Sequence, residues 1–507
     1  MTLPRRPWLW ADRARRFPLL RLLDEQVVVA DGAIGTRIQQ LGVAEDDWAG
    51  LDGCNEILCE SRPDLVRGIH EEFCRAGAEL IETNSFGGSS ISLAEYGIGE
   101  RSHDLCRRSA ILAREVATGY ATSAPGKQRF VAGSVGSTAK LPSLGHVSFA
   151  ELRRSLAVQA RGLLDGGVDA ILIETVQDIL QAKAAVLGAR DAMAAAGCEV
   201  PILASVTVER TGTMLLGTEV AAALVVLEGL EVDVVGLNCG VGPDAMVEQV
   251  RWLGSSASRP VAVMPNAGLP RSVDGKAVYD MSPEELAGYL EGFVREHGVA
   301  LVGGCCGTGP EHVRAIARRV AGLPVRPRPL PAPTQAASLY QAVAVDQDPR
   351  PLLVGERTNA SGSKRFRELL AASDWDGVVE MARQQASEGA HVLDLSVAQV
   401  GRDETADVTE VLGRLVTQTS LPLVIDSTRP VVLAAALEKI GGRPLINSVN
   451  LEEGESKADR VCELARDHGA ILLCMAIDEQ GMARDTERKV AVAKRLHDIA
   501  VRRHGMS

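Results

Sequence analysis

Three cysteines stand at the ends of two expected strands: Cys239 in VVGLNCG, and the adjacent pair Cys305 and Cys306 in LVGGCCGTGP. A thiolate-rich set favours Zn²⁺, and three protein ligands leave one position open to substrate or water, which separates a catalytic site from a structural one. Zinc deprotonates a coordinated thiol, so a bound thiol substrate becomes a nucleophile at neutral pH. The alternative is three core cysteines, since free Cys is among the most buried residue types, and for Cys239 alone that reading is favoured. The adjacent pair weighs against it, because neighbours on a strand point to opposite faces and cannot both enter one core. A glycine-flanked pair at a strand end can turn both sulfurs toward one point.

The elements that must position these sulfurs read as repeated βα units. Eight short apolar runs, QVVVADGAIGT, AELIETNSF, RFVAGSVGS, DAILIETV, PILASVTV, VDVVGLNCG, PVAVMPNAG and ALVGGCCGT, alternate with amphipathic stretches such as SPEELAGYLEGFVREHG. Eight units in about 300 residues fit a closed (β/α)₈ barrel, whose active site gathers at the carboxyl ends of the strands. An open doubly wound sheet is the second choice, disfavoured because no GxGxxG turn follows the first run. The run ends carry Asp31, then Glu82, Thr83 and Asn84, then Glu174 and Thr175, Asn238 and Cys239, Asn266, and finally Cys305 and Cys306. With one strand between them, the sixth and eighth ends lie about 10 Å apart, a gap that side chains can bridge through one ion. Singly, such Asp and Asn residues read as helix caps or loop anchors; converging around three cysteines, they read as a site.

A proline-rich stretch then breaks the rhythm and reads as a semi-rigid linker. The expected organisation is a zinc barrel over 1–322, a linker over 323–350 and a second unit over 351–507. The second unit has five runs, PLLVGERTN, HVLDLSV, PLVIDST, PLINSVN and AILLCMAID, with polar tips at Glu356, Asn359, Asp394, Asp426, Asn447 and Asp478. Its roughly 160 residues fall short of the ~250 of a typical barrel, so an incomplete (β/α) barrel or an open sheet is expected.

Composition sets the class. The chain has 507 residues, 46% hydrophobic and 24% charged, ordinary globular usage for two domains or more. A net charge of -12 argues against a nucleic-acid or anionic-membrane partner. Ten irregularly spaced cysteines do not form a secreted disulfide framework, so reduced thiols and a cytoplasmic enzyme are expected. The basic start is interrupted by charges before reaching the length of a signal core, and no stretch approaches the ~20 apolar residues of a membrane helix.

Together the motifs resemble the amino-terminal half of the cobalamin-dependent methionine synthases. The resemblance runs from DGAIGT through ETNSF, LIETV, NCGVGPD, PNAGLP and GGCCGT, then across the linker to GERTN, IDST, INSV and MAIDEQG. It implies that Cys239, Cys305 and Cys306 bind zinc and that homocysteine sulfur takes the open position. It further implies that Asp31 and Glu174 hold the homocysteine amino group, with Asn84 and Asn238 as further substrate contacts. The second unit resembles the pterin-binding barrel that holds 5-methyltetrahydrofolate, with Glu356, Asn359, Asp394, Asp426, Asn447 and Asp478 at its pterin contacts. In such enzymes cobalamin, on a module supplied in cis or in trans, takes the methyl group from folate and passes it to the thiolate, dividing two difficult displacements.

Three departures qualify the resemblance. Ser396 stands where the family commonly has Asn, the last three strands of a pterin barrel are missing, and no DxHxxG cobalamin motif occurs. The chain alone is therefore not expected to make a complete enzyme of that family, its missing parts lying either on a longer chain or on another polypeptide, and an open second unit is expected. A cobalamin-independent methyltransferase using betaine or S-methylmethionine is the first rival, opposed by GERTN, IDST and INSV. A non-catalytic zinc- or thiol-binding protein is the second.

Overall fold

A computed structural model describes residues 10–123, 128–273, 276–331 and 333–506. Eight parallel strands form the first sheet: β1 Val28–Val29, β2 Leu80–Glu82, β3 Phe130–Val135, β4 Ala170–Val176, β5 Ile202–Val206, β6 Val234–Asn238, β7 Val261–Met264 and β8 Leu301–Val302. The sheet runs from β2 through β7 and β8 to β1, and a parallel bridge between Ala30 and Leu80 closes the ring. Closure decides against an open doubly wound sheet. The strands read as unbroken apolar runs because each is buried on both faces, by the barrel interior and by the helix ring.

The amino-terminal end of the barrel is plugged. Leu19, Leu20 and Leu23 of the helix Pro18–Glu25 pack with Val28, Leu172, Leu203 and Leu301 of the barrel interior. The preceding helix, Trp10–Arg16, is fixed by Arg13, whose guanidinium donates to both carboxylate oxygens of Asp233 at 2.7 Å. That leaves the carboxyl ends of the strands as the accessible mouth.

Five further parallel strands, β9 Val354–Gly355, β10 Val392–Leu395, β11 Leu423–Asp426, β12 Leu445–Val449 and β13 Ile471–Cys474, pair in sequence order. The ring does not close. Val354 on β9 and Leu473 on β13 are each 44% exposed, as an uncovered edge requires.

The stretch read as a linker is only partly one. Residues Gln335–Ala337 and Ala342–Ala344 pair as an antiparallel hairpin, and Ala336 packs with Val392, Val424 and Leu445 at the base of the second sheet. The prolines stop before this segment, and small residues allow the hairpin to lie close against the sheet. It joins the two units: Tyr340 accepts the Glu219 N–H through its carbonyl at 2.8 Å and donates its hydroxyl to Thr417 O at 2.8 Å. Lys183, fully buried in the helix Ile179–Ala196, donates across the same junction to Ile440 O at 2.7 Å and Gly442 O at 3.0 Å. Among the described residues no helix is long and apolar enough to cross a membrane.

Candidate metal and substrate site

The three sulfurs converge at the barrel mouth. Cys239 follows the last residue of β6 with φ 60°, a left-handed conformation uncommon for a residue bearing Cβ, and its N–H donates to Met264 O of β7 at 3.1 Å. After β8 the chain turns tightly. Cys305 N–H donates to Pro265 O at 2.8 Å and Ala267 N–H to Cys306 O at 2.9 Å, lacing the cysteine turn to the loop after β7. Gly307 must be glycine: its φ is 83°, and a Cβ there would stand 2.4 Å from Tyr279 Cβ.

All three sulfurs lie within 4.8 Å of one another, and Cys239 Sγ and Cys306 Sγ are 3.9 Å apart. Two sulfurs bonded to one tetrahedral zinc at about 2.3 Å would be separated by about 3.8 Å, so the donor set fits that ion. The thiols share protons unequally. Hydrogen bonds from Cys239 and Cys305, aided by Tyr279, hold Cys306 far below the ordinary thiol range despite burial. For Cys239 the bond with Cys305 pulls down, but the bond to Cys306 and burial outweigh it and push the thiol up to about 12.

Beside the sulfurs lies a group of acids. Asp31 is 1% exposed and Glu174 5% exposed. Asp31 Oδ2 accepts the Glu82 N–H at 3.0 Å, while its Oδ1 has no partner. Burial raises Asp31 well above the carboxylate range, with the Glu174 charge adding and the Glu82 N–H opposing. Glu82 is raised well by burial and then by Glu174 and Asp31. Burial likewise lifts Glu174 to about 7, against a hydrogen bond from Ser134 and with the Cys306 charge adding. Every charged group named among these influences is an acid or a thiolate. The group is therefore matched to a cationic ligand.

The two asparagines expected as substrate contacts also hold the loops around them. Asn84 Nδ2 donates to Asn55 O at 2.7 Å and to Cys59 Sγ at 3.5 Å, anchoring the loop after β2. Asn238 accepts the Thr175 N–H at 2.8 Å and donates to Thr175 Oγ1 at 2.8 Å and Glu174 Oε2 at 3.3 Å. Asn266 is buried with Oδ1 unpartnered, leaving an oxygen for a cation or a donor. Glu82 stands at its strand tip in the sequence, whereas Ser134 and Tyr279 carry no comparable signal: one lies within its strand, a residue before the end, and the other outside the strand ends.

A second group gathers on the open sheet. Asn359 Nδ2 donates to Asp394 Oδ2 at 2.6 Å and to Asp426 Oδ2 at 2.8 Å, so one amide bridges two carboxylates. Burial first, with the charges of Asp426 and Glu356 adding and the hydrogen bond from Asn359 opposing, raises Asp394 to about 6, and Asn447 on β12 stands in register beside Asp426 on β11. Asp426 is also raised, by burial first. Ser396 is buried, and its backbone bridges to Asn359. Asp478 lies in the hairpin Ile477–Asp478 with Gly481–Met482, accepts the Gln480 N–H at 2.9 Å and is paired with Arg488. Its strand-end position in the sequence did not reveal that partner.

Known proteins share this architecture. The family model for homocysteine S-methyltransferases matches residues 28–320, and that for pterin binding enzymes matches 355–507. The methionine synthases of Mycobacterium tuberculosis and Mycobacterium leprae are each 48% identical over 94% of this chain, which spans 40% of their length. The metallated homocysteine methyltransferase MmuM from Escherichia coli, 24% identical, superposes with a TM-score of 0.50 over 60% of this chain and 99% of its own, a likeness of fold.

Proposed function

The chain belongs to the homocysteine S-methyltransferase family, and from that premise we propose that it transfers a methyl group to the thiolate of homocysteine, forming methionine. The observation that supports this most is the convergence of Cys239, Cys305 and Cys306 beside Asp31, Glu82 and Glu174. In this reading the three cysteines hold zinc, which when bound supplies acidity to a substrate thiol that otherwise titrates near 8.5. Asp31 and Glu174 receive the substrate ammonium, with Glu82 beside them. Asn238 orients Glu174, and Ser134 fixes its other oxygen.

The methyl group is proposed to originate from 5-methyltetrahydrofolate and to arrive by way of cobalamin, held in cis or in trans outside the residues described. Glu356, Asn359, Asp394, Asp426 and Asn447 would orient the pterin, and the raised Asp394 could place a proton beside a leaving amine nitrogen. The match of 355–507 to pterin binding enzymes favours this donor over betaine or S-methylmethionine. A cytoplasmic setting suits the ligand set, because the ten cysteines are all free and a metal-binding thiol must stay reduced.

The test is an assay of the zinc-loaded chain with homocysteine and free methylcobalamin. Methionine should form, and X-ray absorption should show three Zn–S bonds of about 2.3 Å, becoming four with homocysteine. Methylation at an undiminished rate by metal-free protein would overturn the reading.

A further inference from the structure

A fully buried glutamine of the helix ring reaches the acid group from outside the barrel. Gln159, in the helix Phe149–Asp165, donates its Nε2 to Ser85 O at 2.7 Å and to Ser134 O at 3.3 Å, tying the turn after β2 to β3. Both partners are carbonyls, so the amide nitrogen must face them. The amide oxygen is then left buried with no partner among the described residues. A buried orphan oxygen costs stability, and a methionine of similar shape would avoid that cost, so packing alone does not account for a glutamine here.

The glutamine braces a ring of three hydrogen bonds. Ser134 N–H donates to Thr83 Oγ1 at 2.9 Å, the Thr83 and Ser85 hydroxyls lie 2.6 Å apart, and Ser85 Oγ donates to Ser134 O at 2.8 Å. Since the Ser85 proton is used on the carbonyl, Thr83 is the donor between the two hydroxyls. Ring and glutamine together hold both backbone polar groups of Ser134, and its hydroxyl donates to Glu174 Oε1. We propose that Gln159 is a positioning residue of the substrate site, aiming Glu174 at the homocysteine ammonium through Ser134. The proposal rests on the reading of Glu174 as an acceptor of that ammonium.

The experiment is titration calorimetry of the zinc-loaded full chain with homocysteine and with 4-sulfanylbutanoate, the same thiol acid without its amino group. Gln159→Met keeps the bulk of the side chain, and both carbonyls keep a donor: Ser85 O the Gly88 N–H at 2.9 Å, Ser134 O the Ser85 hydroxyl. This variant should weaken homocysteine binding roughly three- to tenfold, the worth of one hydrogen bond. Binding of 4-sulfanylbutanoate should not change, a selectivity that general loosening of the barrel would not produce. Gln159→Glu, kept protonated by burial, retains one O–H donor and should recover most of the affinity. Gln159→Met should add nothing to Ser134→Ala, because the two act in series. Wild-type homocysteine affinity in Gln159→Met, equal losses for both ligands, a loss that Glu does not restore, or additive losses with Ser134→Ala would each overturn the proposal. A wild-type chain that binds the two ligands equally would instead overturn the reading of Glu174, and one that binds neither would overturn the homocysteine site itself.

Discussion

Asn238 Nδ2 lies 3.3 Å from Glu174 Oε2, and the residue after Asn238 is Cys239. One side chain therefore ties the carboxylate proposed to hold substrate to the turn that presents a sulfur. Thr175, whose N–H and hydroxyl the same amide engages, has φ 56°, so the amide also braces an uncommon backbone conformation. Glu174→Gln should weaken homocysteine binding by roughly 1.5–3 kcal/mol, the worth of a hydrogen bond to a charged group, with zinc content unchanged. Asn238→Ala should raise KM in the same direction and add little to Glu174→Gln in the double variant. Titration calorimetry and steady-state kinetics check both, and metal loss in Glu174→Gln would instead place this residue in support of the metal.

Cys306→Ser should lose most of the bound zinc while the barrel stays folded. The sulfur sits at the mouth, partly exposed, and the barrel interior is filled by other residues. A serine hydroxyl stays protonated and is a poor zinc donor. Metal analysis and circular dichroism on the same sample are the check; full zinc retention would exclude Cys306 as a ligand.

The barrel was legible because buried parallel strands print themselves as Val, Ile and Leu runs, and their polar ends, Asp31, Glu174, Asn238 and Cys239, interrupt those runs. Partnership was not legible. The position of Asp478 after the fifth run carries no sign that Arg488 on the following helix is its partner. Nothing in the sequence identifies Asn55 O and Cys59 Sγ as the acceptors of the Asn84 amide nitrogen. Tyr279 lies beyond the strand ends, where side-chain direction depends on the loop path rather than on period. Lys183 interrupts a helix that is apolar nearly all round, the signature of a helix covered on both sides, yet nothing local identifies Ile440 and Gly442 as its acceptors.

Lys183 gives the junction a pH dependence. Burial lowers its amine from the ordinary lysine range to about 7, and a neutral amine has two N–H groups for its two carbonyl acceptors. Between about 7 and ~10.4 the unfolded chain holds a proton that the folded chain has released, so stability rises with pH across that window. Below pH 7 both states are protonated, and the folded state carries the full cost of a buried charge. Urea unfolding should show the wild type gaining stability from pH 7 to pH 9 relative to Lys183→Met. Parallel pH profiles for the two proteins would show that Lys183 keeps its charge at the junction.

The open second sheet sets the expectation for methylfolate. Asn359, Asp394, Asp426 and Asn447, the groups proposed to recognise the pterin, are assembled on it. The edges at Val354 and Leu473 are exposed, so a ligand on this face lacks walls on two sides and remains wetted. Equilibrium dialysis with labelled 5-methyltetrahydrofolate should therefore find weak binding by these 507 residues. A longer chain supplying roughly 100 residues more, the shortfall from a typical barrel, should bind well. Asp426→Ala in the longer chain should abolish that binding, because it removes a carboxylate from the bridge and leaves Asn359 with Asp394 alone. Tight binding by the 507-residue chain, lost on Asp426→Ala or Asn447→Ala, would show that the five strands already make a sufficient pocket and that closure of the ring matters little to the ligand.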